Sequence, residues 1–355
     1  MKKLLCTILA LVMLLCLASA ASAEKIGVAM PTQSLQRWNQ DGSYMKAMLE
    51  AAGYEVVLTY SDNDVARQVS DIENMLTDGC EVLVIASIDG SSLGTVLETA
   101  KLMEVPVIAY DRMITDTDAV DYYATFDNYM VGVIQGTYII EALDLASGAG
   151  PFNLEVVGGS PDDSNAGFFL AGAMDLLTPY IENGQLVVQS GQTTLAEVGT
   201  LTWSTAVAQA RFENIITGFY SGGEALDAVL CSNDSTAMGV INALTAAGYT
   251  EFPVITGQDC DKPNMLYIVS GVQSMSVFKD TRTLAEKVVG MVDALMKGAE
   301  PEINDVETYF NGVKIIPSYL CVPVFGSADN YQELLIESGY YVEIDGEFFT
   351  PDEVQ

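Results

Sequence analysis

Residues 82–112 read VLVIASIDGSSLGTVLETAKLMEVPVIAYDR, and this stretch decides the fold. Val82-Leu83-Val84-Ile85 is an apolar run with little alternation, as expected of a strand covered on both sheet faces. Leu93 to Met103 carries helical spacing, and Val105 to Tyr110 is a second strand. A strand, a helix and a second strand in this order form a βαβ unit, which favours parallel strands.

The same rhythm extends in both directions. Upstream, Ile26 to Met30 reads as a strand. Tyr44, Met48 and Ala52 then mark a helix face stopped by Gly53, and Val56 to Leu58 a further strand. Val65, Val69, Ile72 and Met75 give the next helix, closed by Gly79. Downstream, helices are expected at 129–145, 164–181, 205–220 and 235–247, with strands at 153–157, 186–189, 227–231 and 253–256. One more amphipathic helix, at 282–297, ends at Gly298. No low-complexity segment separates the two series. The chain of 355 residues exceeds what one core usually supports. The expected fold is α/β, with two closely joined lobes built on parallel sheets.

The first 23 residues read as a secretory signal peptide. Lys2 and Lys3 precede the apolar run Leu4 to Leu17, and Ala21-Ser22-Ala23 supplies a small-x-small cleavage site. Cys16 follows Leu14-Leu15, a poor lipoprotein context. Cleavage after Ala23 leaves 13 basic and 48 acidic residues, a formal charge of −35. Such a chain repels nucleic acid and anionic lipid. The expected location is extracytoplasmic, either periplasmic or outside a single-membrane cell, and the protein soluble.

Histidine is absent, which removes Ser-His-Asp and Cys-His catalysis and His-ligated metals together. Cys80, Cys231, Cys260 and Cys321 show no CxxC spacing. They read as single buried thiols, with Cys231 and Cys260 the one pair worth testing for a disulfide. Gly158-Gly159-Ser160 lacks the lysine and spacing of a nucleotide loop and reads as a tight turn. Asp345 to Glu353 lacks calcium-loop spacing and reads as a solvated acidic tail. No cofactor is called for.

In parallel sheets, ligands bind beyond the carboxyl ends of strands. Those positions hold Gln36-Arg37-Trp38-Asn39, Asp111-Arg112, Asp162-Asp163 with Asn165, Asn233-Asp234 and Gln258-Asp259. Acids and amides accept from or bridge hydroxyls, arginine donates in a fork, and an indole suits the C–H face of a pyranose. The set fits a neutral polyol. Each member also has a plainer reading. Trp38 could be packing, Asp111-Arg112 a surface ion pair, and Asp162, Asp163 or Asn233-Asp234 helix caps. Asp111 with Asp234 or Asp259 could also serve a glycoside hydrolase. Arg112 nearby would keep such acids ionised, leaving no proton donor.

The sequence resembles the multiple-sugar-binding receptors and xylose-binding proteins, within the type I periplasmic binding proteins of ABC importers. The matching stretches are IGVAMPTQSLQRW (26–38), VLVIASIDG (82–90), VIAYDRMI (107–114), YYATFDN (122–128), GGSPDDSNA (158–166), QARFENI (209–215), TGQD (256–259), FKDTRTLAEKVV (278–289) and NGVKIIPSYL (311–320). The resemblance implies two Rossmann-like lobes, 24–125 with 279–318 and 126–278 with 319–355. It implies a three-stranded hinge near Tyr123–Asp127, Val277–Asp280 and Ser318–Cys321. It implies an aldopyranose ligand contacted by Arg37, Trp38, Asp111, Arg112, Asn165, Arg211, Asp234, Asp259 and Lys279. The stretch LCSNDS at 230–235 and Cys260 depart from the family pattern, which leaves glucose, galactose, xylose and arabinose open. The implied partners are ABC permease subunits, or alternatively a chemoreceptor or sensor kinase, with no catalysis.

Overall fold

The computed structural model describes residues 23–354; the expected signal peptide lies outside them apart from Ala23. Ten of the strands below build two sheets, each sandwiched by helices.

The first sheet contains β1 (Lys25–Met30), β2 (Glu55–Tyr60), β3 (Val82–Ile85), β4 (Val107–Tyr110), β5 (Tyr122–Phe126) and, from far along the chain, β11 (Ser318–Cys321). Its order is β11-β5-β4-β3-β1-β2, and every pairing is parallel. Helices α1 (Gln36–Ala52), α2 (Val65–Thr77) and α3 (Gly94–Leu102) connect its first strands. Strand β3 shows why its apolar run barely alternates. Leu83 and Ile85 join a core with Ile72 and Leu97, while Val82 and Val84 join the opposite core with Met45 and Leu284. Both faces are dry because helices cover both. Each fully buried leucine or isoleucine contributes about 1.5–3 kcal/mol of burial.

The second half holds α4 (Asn128–Ala142), β6 (Phe152–Val157), α5 (Ser164–Glu182), β7 (Leu186–Val187), the short α6 (Leu195–Val198), α7 (Thr205–Phe219), β8 (Ala228–Cys231), α8 (Asp234–Ala246) and β9 (Val254–Ile255). Its sheet runs β7-β6-β8-β9, again parallel. Beyond it come α9 (Lys262–Val269), β10 (Ser276–Phe278), α10 (Thr281–Met296) and β12 (Val324–Gly326). Strands β10 and β12 pair antiparallel, and a parallel bridge between Gln258 and Val277 ties them to the edge beyond β9. Helices α4 and α5 touch through glycines. A Cβ on Gly132 would stand 2.0 Å from the Phe169 carbonyl oxygen, and one on Gly172 2.1 Å from that of Tyr129.

The chain crosses between the sheets three times, after β5, after β10 and after β11. Asp127 and Asp280, at two of these crossings, cap α4 and α10 with their carboxylates. The Asp127 N–H also donates to the Cys321 carbonyl at 2.9 Å, which ties the first crossing to the third.

Most expected elements are present, with shifted bounds. Helix α1 begins at Gln36, before the first periodic residue, and so carries Arg37 and Trp38. Helix α4 stops at Ala142, because Leu143 and left-handed Asp144 turn the chain aside. Strand β4 starts only after Pro106. The acidic segment near the C-terminus is folded rather than a free tail. Strands β13 (Val342–Ile344) and β14 (Glu347–Phe349) form a hairpin, and Phe348 packs with Tyr340, Tyr341, Met265 and Leu335. The glycines at 158–159 serve close packing rather than a turn. A Cβ on Gly158 would stand 2.8 Å from Val198, and one on Gly159 2.0 Å from the Trp203 ring. All four described cysteines are buried free thiols, so Cys231 and Cys260 are not bridged.

Candidate functional site

A cleft of about 430 Å³, mouth included, lies between the two halves. One wall carries Arg37 and Trp38 from the first turn of α1, and Asp111 and Arg112 from the end of β4. The other carries Asp163, Asn165 and Phe169 at the start of α5, with Trp203, Asn233, Gln258, Asp259 and Asp261. Lys279 reaches in from the crossing after β10. The carboxyl ends of β1, β4, β6, β8 and β9 all feed this cleft, as the parallel topology requires.

Asp111 has a left-handed backbone, φ 59°, which turns the chain sharply out of the sheet. Its carbonyl oxygen is clamped by the Tyr123 hydroxyl (2.7 Å), the Thr125 hydroxyl (3.0 Å) and the Asn165 amide (2.6 Å). An uncommon conformation persists when its surroundings hold it, and this one aims Asp111 and Arg112 into the cleft.

Arg37 is the hub of the charges. Its Nη2 donates to Asp111 at 2.5 Å, its Nε to Asp41 at 3.0 Å, and its Nη1 reaches Asp259 across the cleft at 3.5 Å. Asp41 in turn accepts from the Tyr110 hydroxyl. Lys279 Nζ lies 3.0 Å from Asp259 and over the Phe126 and Phe169 rings. Arg112 stands 3.1 Å from Asp163, while its Nη1 donates to the Ser87 carbonyl. All these side chains are at least nine-tenths buried.

Burial sets their protonation against their neighbours. It works against the Arg37 charge, but Asp111, Asp41 and Asp259 outweigh it and hold the guanidinium charged. It pushes the Asp111 carboxyl up, yet Arg37 and Lys279 win and keep it below the usual carboxylate range. Asp41 is not rescued: burial lifts it to about 6 against the pull of Arg37. Burial and Asp259 lift Asp261 to about 7. Asp163 is raised by burial despite Arg112.

The aromatic rings complete the lining. Trp38 is buried, with the Arg37 and Arg112 guanidiniums 5.2 and 4.9 Å from its centroid. Trp203 sits in a left-handed turn, meets Phe169 edge-on at 6.1 Å, and donates its Nε1–H to Asp163 at 3.2 Å.

Seven of the nine sequence-nominated residues therefore meet here: Arg37, Trp38, Asp111, Arg112, Asn165, Asp259 and Lys279. Asp234 lies behind the lining, where its carboxylate accepts from Gln273, Ser276 and the Asp261 N–H. Arg211 lies outside the lining and holds the Val156 carbonyl (3.0 Å) and Gln192 (2.5 Å). Asp163 and Asn233 are helix caps, as the plainer reading has it, and they also line the cleft. Asp111 and Arg112 are not a local ion pair, since each turns to a different partner. Leu35, Phe169, Trp203 and Asp261 were not nominated. Trp203, one of two tryptophans in the chain, was the signal available.

The pattern of the periplasmic binding protein domain matches residues 26–300. The chain belongs to the periplasmic binding protein family. The multiple sugar-binding periplasmic receptor of Rhizobium radiobacter is 48% identical over 91% of this chain and 92% of its own length. The D-xylose-binding periplasmic protein of Escherichia coli is 34% identical over 96% and 98%. A solved ABC transporter solute-binding protein from Clostridium phytofermentans, with bound β-D-glucose, superposes with a TM-score of 0.89 at 61% identity. It covers 90% of this chain and 99% of that one. The fold is thus that of a type I periplasmic binding protein. Members of this family bind rather than transform their ligands, so the hydrolase reading is set aside. Among the described residues, no helix is long and apolar enough to cross a membrane, and no acid or thiol cluster is arranged for a metal ion.

Proposed function

We propose that this chain captures a neutral aldopyranose, glucose or a close relative, outside the cytoplasm and delivers it to the membrane subunits of an ABC importer. It is a sugar-binding solute receptor and not an enzyme. The observation that carries the reading is the charge balance of the cleft. Arg37, Arg112 and Lys279 face Asp111, Asp163 and Asp259, and burial with Asp259 lifts the fourth acid of the lining, Asp261, to about 7, where it is half protonated, so a charged ligand would leave an unpaired group buried, at a cost of several kcal/mol. A hydroxyl both donates and accepts, and so can be inserted beside any of these groups. The indoles of Trp38 and Trp203 offer apolar faces for the ring C–H groups.

Arg37, Trp38, Asp111, Arg112, Asn165, Asp259 and Lys279 are the proposed contacts, with Asp234 and Arg211 holding loops behind them. Two lobes, 24–125 with 279–318 and 126–278 with 319–355, would rotate about the three crossings. Sugar binds the closed arrangement better and shifts the population towards it. The first 23 residues would direct export and be removed after Ala23; N-terminal sequencing of the exported protein tests that.

Calorimetry with D-glucose, D-galactose, D-xylose and L-arabinose tests the function. Saturable one-to-one binding of at least one sugar is expected. No heat from any of them would overturn the reading.

A further inference from the structure

Gln36 sits immediately before Arg37 in sequence, yet it is not part of the cleft lining. Its Nε2 donates to the Tyr341 hydroxyl at 2.8 Å, and its Oε1 accepts from the Lys262 backbone N–H at 3.2 Å. Gln36 belongs to α1, which packs on the first sheet and on α10. Both of its partners belong to the other side. Lys262 opens α9, and Tyr341 lies in the apolar cluster of Cys260, Met265, Phe278 and Leu335. One turn further along α1, Gln40 Oε1 lies 3.4 Å from the Tyr340 hydroxyl. The Tyr341 hydroxyl donates onward to the Cys260 carbonyl at 3.0 Å. Cys260 directly follows Asp259, which lines the cleft.

We propose that Gln36 is a latch for the closed state: a positioning residue that sets sugar affinity without touching the sugar. The proposal rests on the sugar-capture reading above. Any rotation that parts the two walls of the cleft also parts Gln36 from Lys262 and Tyr341. The two bonds therefore exist only in the closed arrangement and raise its population. Apparent affinity is intrinsic affinity scaled by the fraction of competent protein, so the latch enters every measured dissociation constant. Its effect falls on release, because leaving the cleft requires opening. A net hydrogen bond changes an equilibrium by about two- to tenfold, so losing both predicts a change of roughly 4- to 100-fold.

The test uses Gln36→Ala and Tyr341→Phe with D-glucose as the probe. Tryptophan fluorescence in stopped flow gives Kd and koff, and small-angle scattering gives the overall dimensions with and without sugar. Gln36→Ala is expected to raise Kd roughly 4- to 100-fold through koff. The sugar-free form should expand, and saturating glucose should restore the compact one. Tyr341→Phe keeps the ring packing and is expected to shift both readouts the same way, by less. Kd within twofold of wild type together with unchanged scattering in Gln36→Ala would overturn the latch. Failure of the wild type to bind any sugar would instead overturn the functional reading. The scattering of the sugar-free variants would still decide the latch.

Discussion

Arg112 Nε stands 3.1 Å from a carboxylate oxygen of Asp163 on the facing wall, yet no hydrogen bond is aligned between them. The ion pair thus spans the cleft while leaving the guanidinium's donor unspent. A ligand hydroxyl placed there would gain a charged donor and a charged acceptor together. Replacing Arg112 by alanine removes that donor and leaves Asp163 buried without its cation. Losing one partner from a buried polar site costs about 1–3 kcal/mol, so sugar affinity should fall by roughly 5- to 150-fold. Calorimetry on the variant checks this, and wild-type affinity would place the ligand elsewhere.

The cleft acids also fix how stability depends on pH. Asp41 is held at about 6 when folded against 3.8 ordinarily, and Asp261 at about 7. A carboxyl whose folded value is raised keeps its proton where the unfolded chain has lost it. Stability from such a group is full below about pH 4 and is lost as pH rises through the folded value. Asp111 is shifted the other way, and its contribution disappears only at acid below the ordinary carboxylate range. Between pH 7.5 and 5 the raised pair dominates, so the protein should become more stable on acidification. For Asp41 alone the difference across this window is about 1.4 kcal/mol, since only about one unit of its shift lies above pH 5. Thermal melts of wild type and Asp41→Asn across this window read it. The variant should have the flatter profile, and identical slopes would show that Asp41 is ionised throughout.

Gly159 and Trp203 give a packing prediction. With a Cβ at residue 159 only 2.0 Å from the indole, Gly159→Ala must displace the ring. The Trp203 ring donates to Asp163 and packs on Phe169, so the disturbance reaches the cleft. Overpacking of this kind costs about 1–3 kcal/mol. A lower Tm and weaker sugar binding are expected together, with altered tryptophan emission. Unchanged emission and affinity would mean the indole has room to move.

How much of this was legible beforehand follows from the range of each signal. The parallel sheets were readable because Val82–Ile85 and its counterparts carry local hydrophobic period. The wall formed by Arg37, Trp38, Asp111 and Arg112 was readable because a parallel sheet fixes where strand ends point. Trp203 was not nominated, since it follows no strand; the left-handed backbone at Thr202 and Trp203 delivers it to the cleft. Asp234 follows β8 as expected, but faces backwards because Gln273 and Ser276, some forty residues on, bind its carboxylate. The acidic hairpin near the C-terminus looked solvated because its buried anchors are few: Phe348 and the pair Tyr340-Tyr341. Composition averages such anchors away.

The cysteines supply a last prediction. Cys80, Cys231, Cys260 and Cys321 are all buried and unbridged. Burial raises every one of these thiols, Cys80 to about 11 and Cys321 to about 12, and the nearby Asp234 carboxylate adds to the rise at Cys231 and Cys260. The thiolate is the reactive form, so both access and ionisation protect these side chains. Native protein purified without reductant and lacking residues 1–23 should therefore take up no alkylating agent near neutral pH. Denatured without reductant, it should take up four equivalents by intact mass. Two equivalents would reveal a disulfide that this fold does not contain. Fast labelling of the native form would show that a core strand such as β8 opens far more readily than its burial allows.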